Sequence, residues 1–245
     1  MNRVGFLLNS TEGIVTVPSV EVSSSYVGRE GSAGEMKERV KATFHQWPVG
    51  TRGLYTAWLT FDKVGRWALD IEVREPGGGV ARTDISFLVG EIPLAPAVGS
   101  LAPKSESKTL ADVKGFEELT TGSLHDPDLY MVKIAVAVTS GKPSVITFAS
   151  PAFCANAVCG PQVDVLQELK NKYRERAHFI HVDFYDNPEE VQGDLSRARI
   201  SSTVLEWKLP SIEWSFVIDG QGRVAARFEA FATLEELEAE LLRVL

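Results

Sequence analysis

The stretch VITFASPAFCANAVCGPQVDVLQELKNKY, residues 145–173, decides how the chain is read. It opens on a near-continuous apolar run, which suits a strand buried on both faces. It closes on a helical pattern. Over 161–177, Val163, Leu166, Leu169 and Tyr173 fall on one stripe, and Pro161 fits a first turn. Between strand and helix lie Cys154 and Cys159, the two cysteines of a 245-residue chain. Two thiols this close read as a redox pair, a metal clamp or a structural staple. Were 154–159 all helical, the two Cα atoms would sit about 8–9 Å apart on largely opposite faces. A disulfide needs about 4.4–6.8 Å. A bond between them therefore requires Cys154 in a loop, which Pro151 upstream and a helix starting near Pro161 allow.

Outward from this stretch, elements alternate. Residues 126–143 read as a helix ended by Gly141 and Pro143, and HFIHVDFYD as the next strand. WSFVIDGQGRVAARFEAF, 214–231, reads as strand, Gly turn, strand. TLEELEAELLRVL closes as a helix with Thr233 and Glu236 as a capping box. The first half of this order can form a right-handed parallel unit, and the hairpin adds antiparallel strands.

Residues 1–90 have a different period. LYTAWLTFD (54–62) and RWALDIEVRE (66–75) each alternate apolar and polar, and the short KVG between them reads as a hairpin turn. RVGFLLN, GIVTV, VEVSSSYV and ARTDISFLVG add strands, and GEMKERVKATF is the one helical-looking segment. Several short strands with turn signals suggest an all-β immunoglobulin-like sandwich over 1–90. Residues 91–110, rich in Pro, Ser, Gly and Ala, read as a linker that also runs over the surface of the following domain, 111–245.

Bulk composition narrows the function. With 44% hydrophobic and 24% charged residues the chain has the makeup of a soluble globular protein. A net charge of −8 with no Lys/Arg run excludes a nucleic-acid footprint. No segment reaches the ~18 apolar residues of a membrane span. The opening MNRVGFLLNSTEG carries an apolar run too short for a secretory signal. EPGGGV (75–80) lies between strands and reads as a turn, so no cofactor is expected.

Residues 111–245 resemble a thioredoxin-like domain. Cys159-Gly160-Pro161 begins a helix after a buried strand, as in the family's Cys-Gly-Pro-Cys site. WSFVIDGQGRV resembles the family's strand–turn–strand, and an amphipathic helix follows. The resemblance implies thiol–disulfide exchange with a protein thiol or disulfide substrate or redox partner. It places Cys159 at a helix N-terminus that favours a thiolate, with Cys154 as resolving partner. The reverse order stays open, because a loop thiol is easier to attack. Gly160, Pro161, Gln162, Glu213 and Trp214 line the site.

The departures are specific. The family's second cysteine falls at Gln162, its cis-proline position at Glu213, where a trans bond is expected, and its buried aspartate at Thr147. Tyr55-x-Ala57-x-Leu59-x-Phe61-Asp62 and Gly65-x-Trp67 resemble small β-sandwich modules of exported bacterial proteins. That implies an extracytoplasmic or membrane-tethered location.

Other readings remain beside this one. A non-catalytic interaction protein would keep a permanent disulfide. Copper-chaperone relatives use two such cysteines and a distant histidine. Of His45, His125, His178 and His181, the last two point to opposite faces of one strand and cannot form a clamp together, so no metal ligand is assigned. Trp207 and Trp214 read as core rather than as a substrate face, and the acidic run ATLEELEAEL as a solvated helix face.

Overall fold

The computed structural model describes residues 1–11, 13–28, 34–74, 77–123, 126–153, 158–191 and 193–245. They divide into two units, Met1–Pro93 and Leu94–Leu245.

The first unit is all β. Its strands are β1 (Asn2–Phe6), β2 (Asn9–Ser10), β3 (Gly13–Ile14), β4 (Ser19–Gly28), β5 (Glu35–Gln46), β6 (Gly53–Leu59), β7 (Gly65–Arg74) and β8 (Val80–Val89). Along β7 the residues Trp67, Leu69, Ile71 and Val73 are buried while their neighbours are more exposed, the period-two pattern of a strand with one face on a core. Val20, Val22, Tyr55, Ala57 and Leu59 complete that core from β4 and β6, with Leu8 covering it.

Three expectations change here. The six long strands pair antiparallel in one sheet of order β1-β6-β5-β4-β7-β8, beside a small β2-β3 pair, rather than as two facing sheets of an immunoglobulin-like sandwich. Strands β6 and β7 are not hairpin partners, because β5 and β4 lie between them. Alternation reports that one face is buried; it does not say which strand pairs with which. Finally, GEMKERVKATF is strand β5, paired on both sides. Its apolar Met36, Val40, Ala42 and Phe44 all sit at even positions, and the sheet overrides the helical leaning of its Lys and Glu.

The second unit contains α1 (Ile134–Ala137), β9 (Ser144–Ala149), α2 (Cys159–Tyr173), β10 (His178–Asp183), α3 (Pro188–Val191), α4 (Ser202–Glu206), β11 (Trp214–Ile218), β12 (Val224–Glu229) and α5 (Leu234–Leu242). The sheet order is β10-β9-β11-β12. Strands β9 and β10 are parallel and joined through α2; β11 runs antiparallel to both β9 and β12. This is the thioredoxin-like plan. Every residue of β9 is buried, since its side chains feed two cores. Val145 joins Leu166, Leu169, Leu237 and Leu241 under α2 and α5. Ile146 and Phe148 join Trp207 and Phe216 on the other side.

Helix α5 has the expected capping box: the Glu236 amide donates to Thr233 Oγ1 (3.2 Å) and the Thr233 amide to Glu236 Oε2 (3.1 Å). Residues 126–143, by contrast, are not one helix. A 3₁₀ turn at Pro127–Tyr130 is separated from the four-residue α1. The amides of Ile134 and Ala135 donate to Ser107 Oγ and Ser105 O, at 3.0 Å each, so a neighbouring segment takes donors that a longer helix would use. That segment starts at Leu94 and packs within the second unit. The Gly99 and Ala102 amides donate to Val224 O and Gly222 O, and Arg227 donates to Ala95 O.

Candidate functional site

Helix α2 begins at Cys159, directly after Val158, which supplies no side-chain cap. The first turn therefore keeps backbone N–H groups that no side chain at the N-cap satisfies, and with them the positive end of the helix dipole. Pro161 sits in this turn, where its missing N–H costs nothing. Cys159 is fully buried and is not a free thiol. Cys154 lies outside the described residues.

Gln162, where the family would carry a cysteine, is fully buried one turn along. Its Oε1 accepts from the Ala232 amide at 2.8 Å, tying α2 to the segment between β12 and α5. Its Nε2 has no hydrogen-bond partner among the described residues. Glu213 is buried just before β11, with φ at 79°, a left-handed conformation that side chains rarely adopt. Its carbonyl accepts from the Ala230 amide at 3.0 Å. Gln162 and Glu213 are thus both fastened to residues 230–232. No cis peptide bond occurs among the described residues.

Trp214 is core. It stacks on Phe216 at 5.8 Å between ring centres, and its indole donates to Ser211 Oγ at 3.0 Å. Trp207 is fully buried between Phe148 and Phe216, with its indole donating to Ser105 Oγ at 3.1 Å. At the family's buried-aspartate position, Thr147 Oγ1 and Ser215 Oγ share a hydrogen bond of 3.0 Å in full burial. A neutral hydroxyl pair offers no titration there.

The titratable groups lie one strand over, on β10: His181, which the sequence offered only as a metal ligand, and Asp183, which it did not single out. Asp183 Oδ2 accepts from the Thr121 amide (2.7 Å) and from Thr121 Oγ1 (2.9 Å), and Oδ1 accepts from the Tyr185 amide (3.1 Å). Burial pushes this carboxyl up to about 6, against the pull of those bonds. His181, two residues back, is buried with Nε2 3.1 Å from the Ala149 carbonyl and Nδ1 2.6 Å from Tyr130 Oη. A carbonyl can only accept, so Nε2 carries the proton and Nδ1 accepts from the tyrosine. Burial lowers His181 to about 4 and raises Tyr130 above its ordinary range, so both are neutral at pH 7. Tyr130, His181, Asp183 and Thr203 face a cavity of about 160 Å³.

His178 points the other way, to Ser140 Oγ at 3.1 Å, and His45 belongs to the first unit. His125 lies outside the described residues. Among the described residues no three His, Cys, Asp or Glu side chains gather as metal ligands. No helix among them is long and apolar enough to cross a membrane.

The second unit thus has a thioredoxin-like strand order, with a helix that begins at Cys159. The chain matches no family model and no curated protein. Among solved structures it is similar to a Chlorobium tepidum protein named as thiol:disulfide interchange protein DsbE, at 15% identity over 61% of this chain and 99% of that one, TM-score 0.44. It is also similar to MTB dsbF, at 16% identity over 45% and 86%, TM-score 0.36. A thioredoxin-like protein solved in its oxidized form matches at 13% identity over 62% and 97%, TM-score 0.35.

Proposed function

We propose that the second unit performs thiol–disulfide exchange on protein substrates through Cys154 and Cys159. The observation that carries this reading is Cys159 itself: a cysteine without a free thiol, at the first residue of α2, followed by Gly160 and Pro161 on a thioredoxin-like sheet. Its complete burial favours one order of events. The Cys154 thiolate attacks a substrate disulfide, expelling one substrate thiolate and forming a mixed disulfide. The Cys159 thiolate then attacks the Cys154 sulfur and releases the second substrate thiolate. The pair ends oxidised and the substrate reduced; the reverse direction oxidises a substrate dithiol. Helix α2 serves this by stabilising Cys159 as a thiolate once the bond opens. The first unit is a spacer or partner-binding module, and an extracytoplasmic or membrane-tethered location fits exchange with protein disulfides, which persist in oxidising compartments.

The same burial also favours a second reading, a permanent disulfide in a non-catalytic interaction protein. Reduction potential separates the two. Equilibration of the full chain with glutathione buffers should give a value above about −270 mV for an exchange catalyst. A value well below about −300 mV assigns the pair to a staple and removes the exchange reading.

A further inference from the structure

Strand β9 ends at Ala149, and the chain turns at Ser150–Phe153 before it reaches the cysteines. Side chains far away in sequence hold that turn. Thr121 Oγ1 lies 3.1 Å from Ser150 Oγ and 3.2 Å from the Ala152 amide. Its single proton is committed to Asp183 Oδ2, because an ionised carboxylate only accepts. Thr121 Oγ1 must therefore accept from the Ser150 hydroxyl and from the Ala152 amide. Every donor in this chain points toward one carboxylate, and its side chains are part-buried or buried, with only the Ala152 amide at the exposed end. A second attachment runs in parallel: Phe153 packs edge-on against Tyr185 at 6.5 Å, and the Tyr185 amide donates to the other Asp183 oxygen. Gly122 completes the seat, since a Cβ there would come within 3.2 Å of the Pro151 ring.

We infer that Asp183 is a positioning residue for the cysteine pair, fixing the Ser150–Phe153 turn through Thr121 and thereby setting how readily the Cys154–Cys159 bond forms. The inference rests on the exchange reading for its purpose, but not for its test. Among the described residues Asp183 touches no sulfur; it acts through Thr121, Ser150 and the Ala152 amide. The turn can hold its place only while the carboxylate accepts from both ends of the Thr121 side chain and backbone. Replacing the carboxylate by an amide puts a donor among donors, and removing the Thr121 hydroxyl cuts the chain at its middle.

The experiment is the equilibrium constant of the Cys154–Cys159 pair in dithiothreitol buffers, measured on the full chain for the parent, Asp183→Asn, Thr121→Val and the double variant. Dithiothreitol reports on any disulfide, catalytic or not. Each single variant should shift the constant about fivefold or more. The double variant should shift it no further than the larger single, because both substitutions cut the same chain. Thr121→Ser, which keeps the hydroxyl, should restore the parent value. Variants that remain folded in urea titration yet stay within twofold of the parent overturn the inference, and so do additive effects. If Asp183→Asn does not fold, the Thr121→Val and Thr121→Ser pair decides alone. A parent pair that stays inert toward glutathione, with the shifts still present, removes the exchange reading and leaves the positioning role standing.

Discussion

The two units of this chain put their charges in opposite places. In the first, Glu21, Arg39, Glu72 and Arg82 pair across the outer face of the sheet, at 3.3 Å for Arg39–Glu21 and 3.2 Å for Arg82–Glu72. All these side chains remain partly in water, and Arg82 is three-quarters exposed. In the second, Asp183 and His181 are buried on one strand, each satisfied by fixed partners rather than by a counter-charge. Water screens the first set, so its many pairs contribute little each. Burial screens the second set far less, so each of these two residues responds strongly to pH.

The largest expected effect separates those two residues. Asp183 sits at about 6 in the folded chain against an ordinary 3.8, so the folded state holds its proton more tightly than the unfolded one. Its contribution is fully present below about pH 4 and is lost as pH rises through about 6, a change of about 3 kcal/mol. His181 sits at about 4 against 6.5, so the unfolded state binds the proton first. Its contribution is present above about pH 6.5 and is lost as pH falls through about 4, again about 3 kcal/mol. The two slopes oppose each other in one window and mask each other in the parent. Urea titrations at several pH values between 4 and 7 should unmask them. Relative to the parent, Asp183→Asn should gain stability with rising pH by about 3 kcal/mol, and His181→Gln should lose about as much. Parallel curves for all three proteins would show that neither residue titrates as its burial dictates.

The neutral counterpart on β9 sharpens the same comparison. Thr147 and Ser215 share one hydrogen bond in full burial and carry no charge. Thr147→Val keeps the shape and strands the Ser215 hydroxyl, at a cost of about 1–3 kcal/mol. The double variant Thr147→Val with Ser215→Ala removes both polar partners and should recover much of that loss. Neither should depend on pH across the window in which the β10 variants diverge. Urea midpoints for the two variants at pH 5 and pH 7 check both statements.

Sequence made some of this legible and hid the rest for identifiable reasons. The buried strand at 144–149, the start of α2 beside Pro161 and the Thr233–Glu236 box are local signals, and local signals survive folding. The sheet order of the first unit depends on which strands meet, which alternation does not encode. Strand β5 hid behind its Lys and Glu content, and the apparent helix at 126–143 was broken because acceptors on Ser105 and Ser107 take the amides of Ala135 and Ile134. Asp183 was invisible as a site because its meaning lies in Thr121, 62 residues away, and in Ser150. Its one trace is a charged residue ending the run HFIHVD, where a fully buried strand has little tolerance for one. A structural water or a salt link would have left the same trace, so composition alone did not single it out.

The smallest effect belongs to the first unit, and its smallness is the point. Arg82 on β8 meets Glu72 on β7 in direct cross-strand register, with Arg39 and Arg74 also within reach of that carboxylate. Among the described residues Glu72 therefore keeps Arg39 and Arg74 when Arg82 becomes Ala, and solvent replaces the lost cation. The expected cost is under about 1 kcal/mol, and it should shrink further in 0.5 M salt, where screening reaches only a few ångströms. Arg39→Ala should cost more than Arg82→Ala, because Arg39 bridges Glu21 and Glu72 across β4 from β5 and is the less exposed of the two. Urea midpoints at low and high salt rank the two variants. A loss above 2 kcal/mol for Arg82→Ala that persists in salt would mean that this sheet face is not solvated as its exposure implies, and the contrast between the two units would fail at its simpler end.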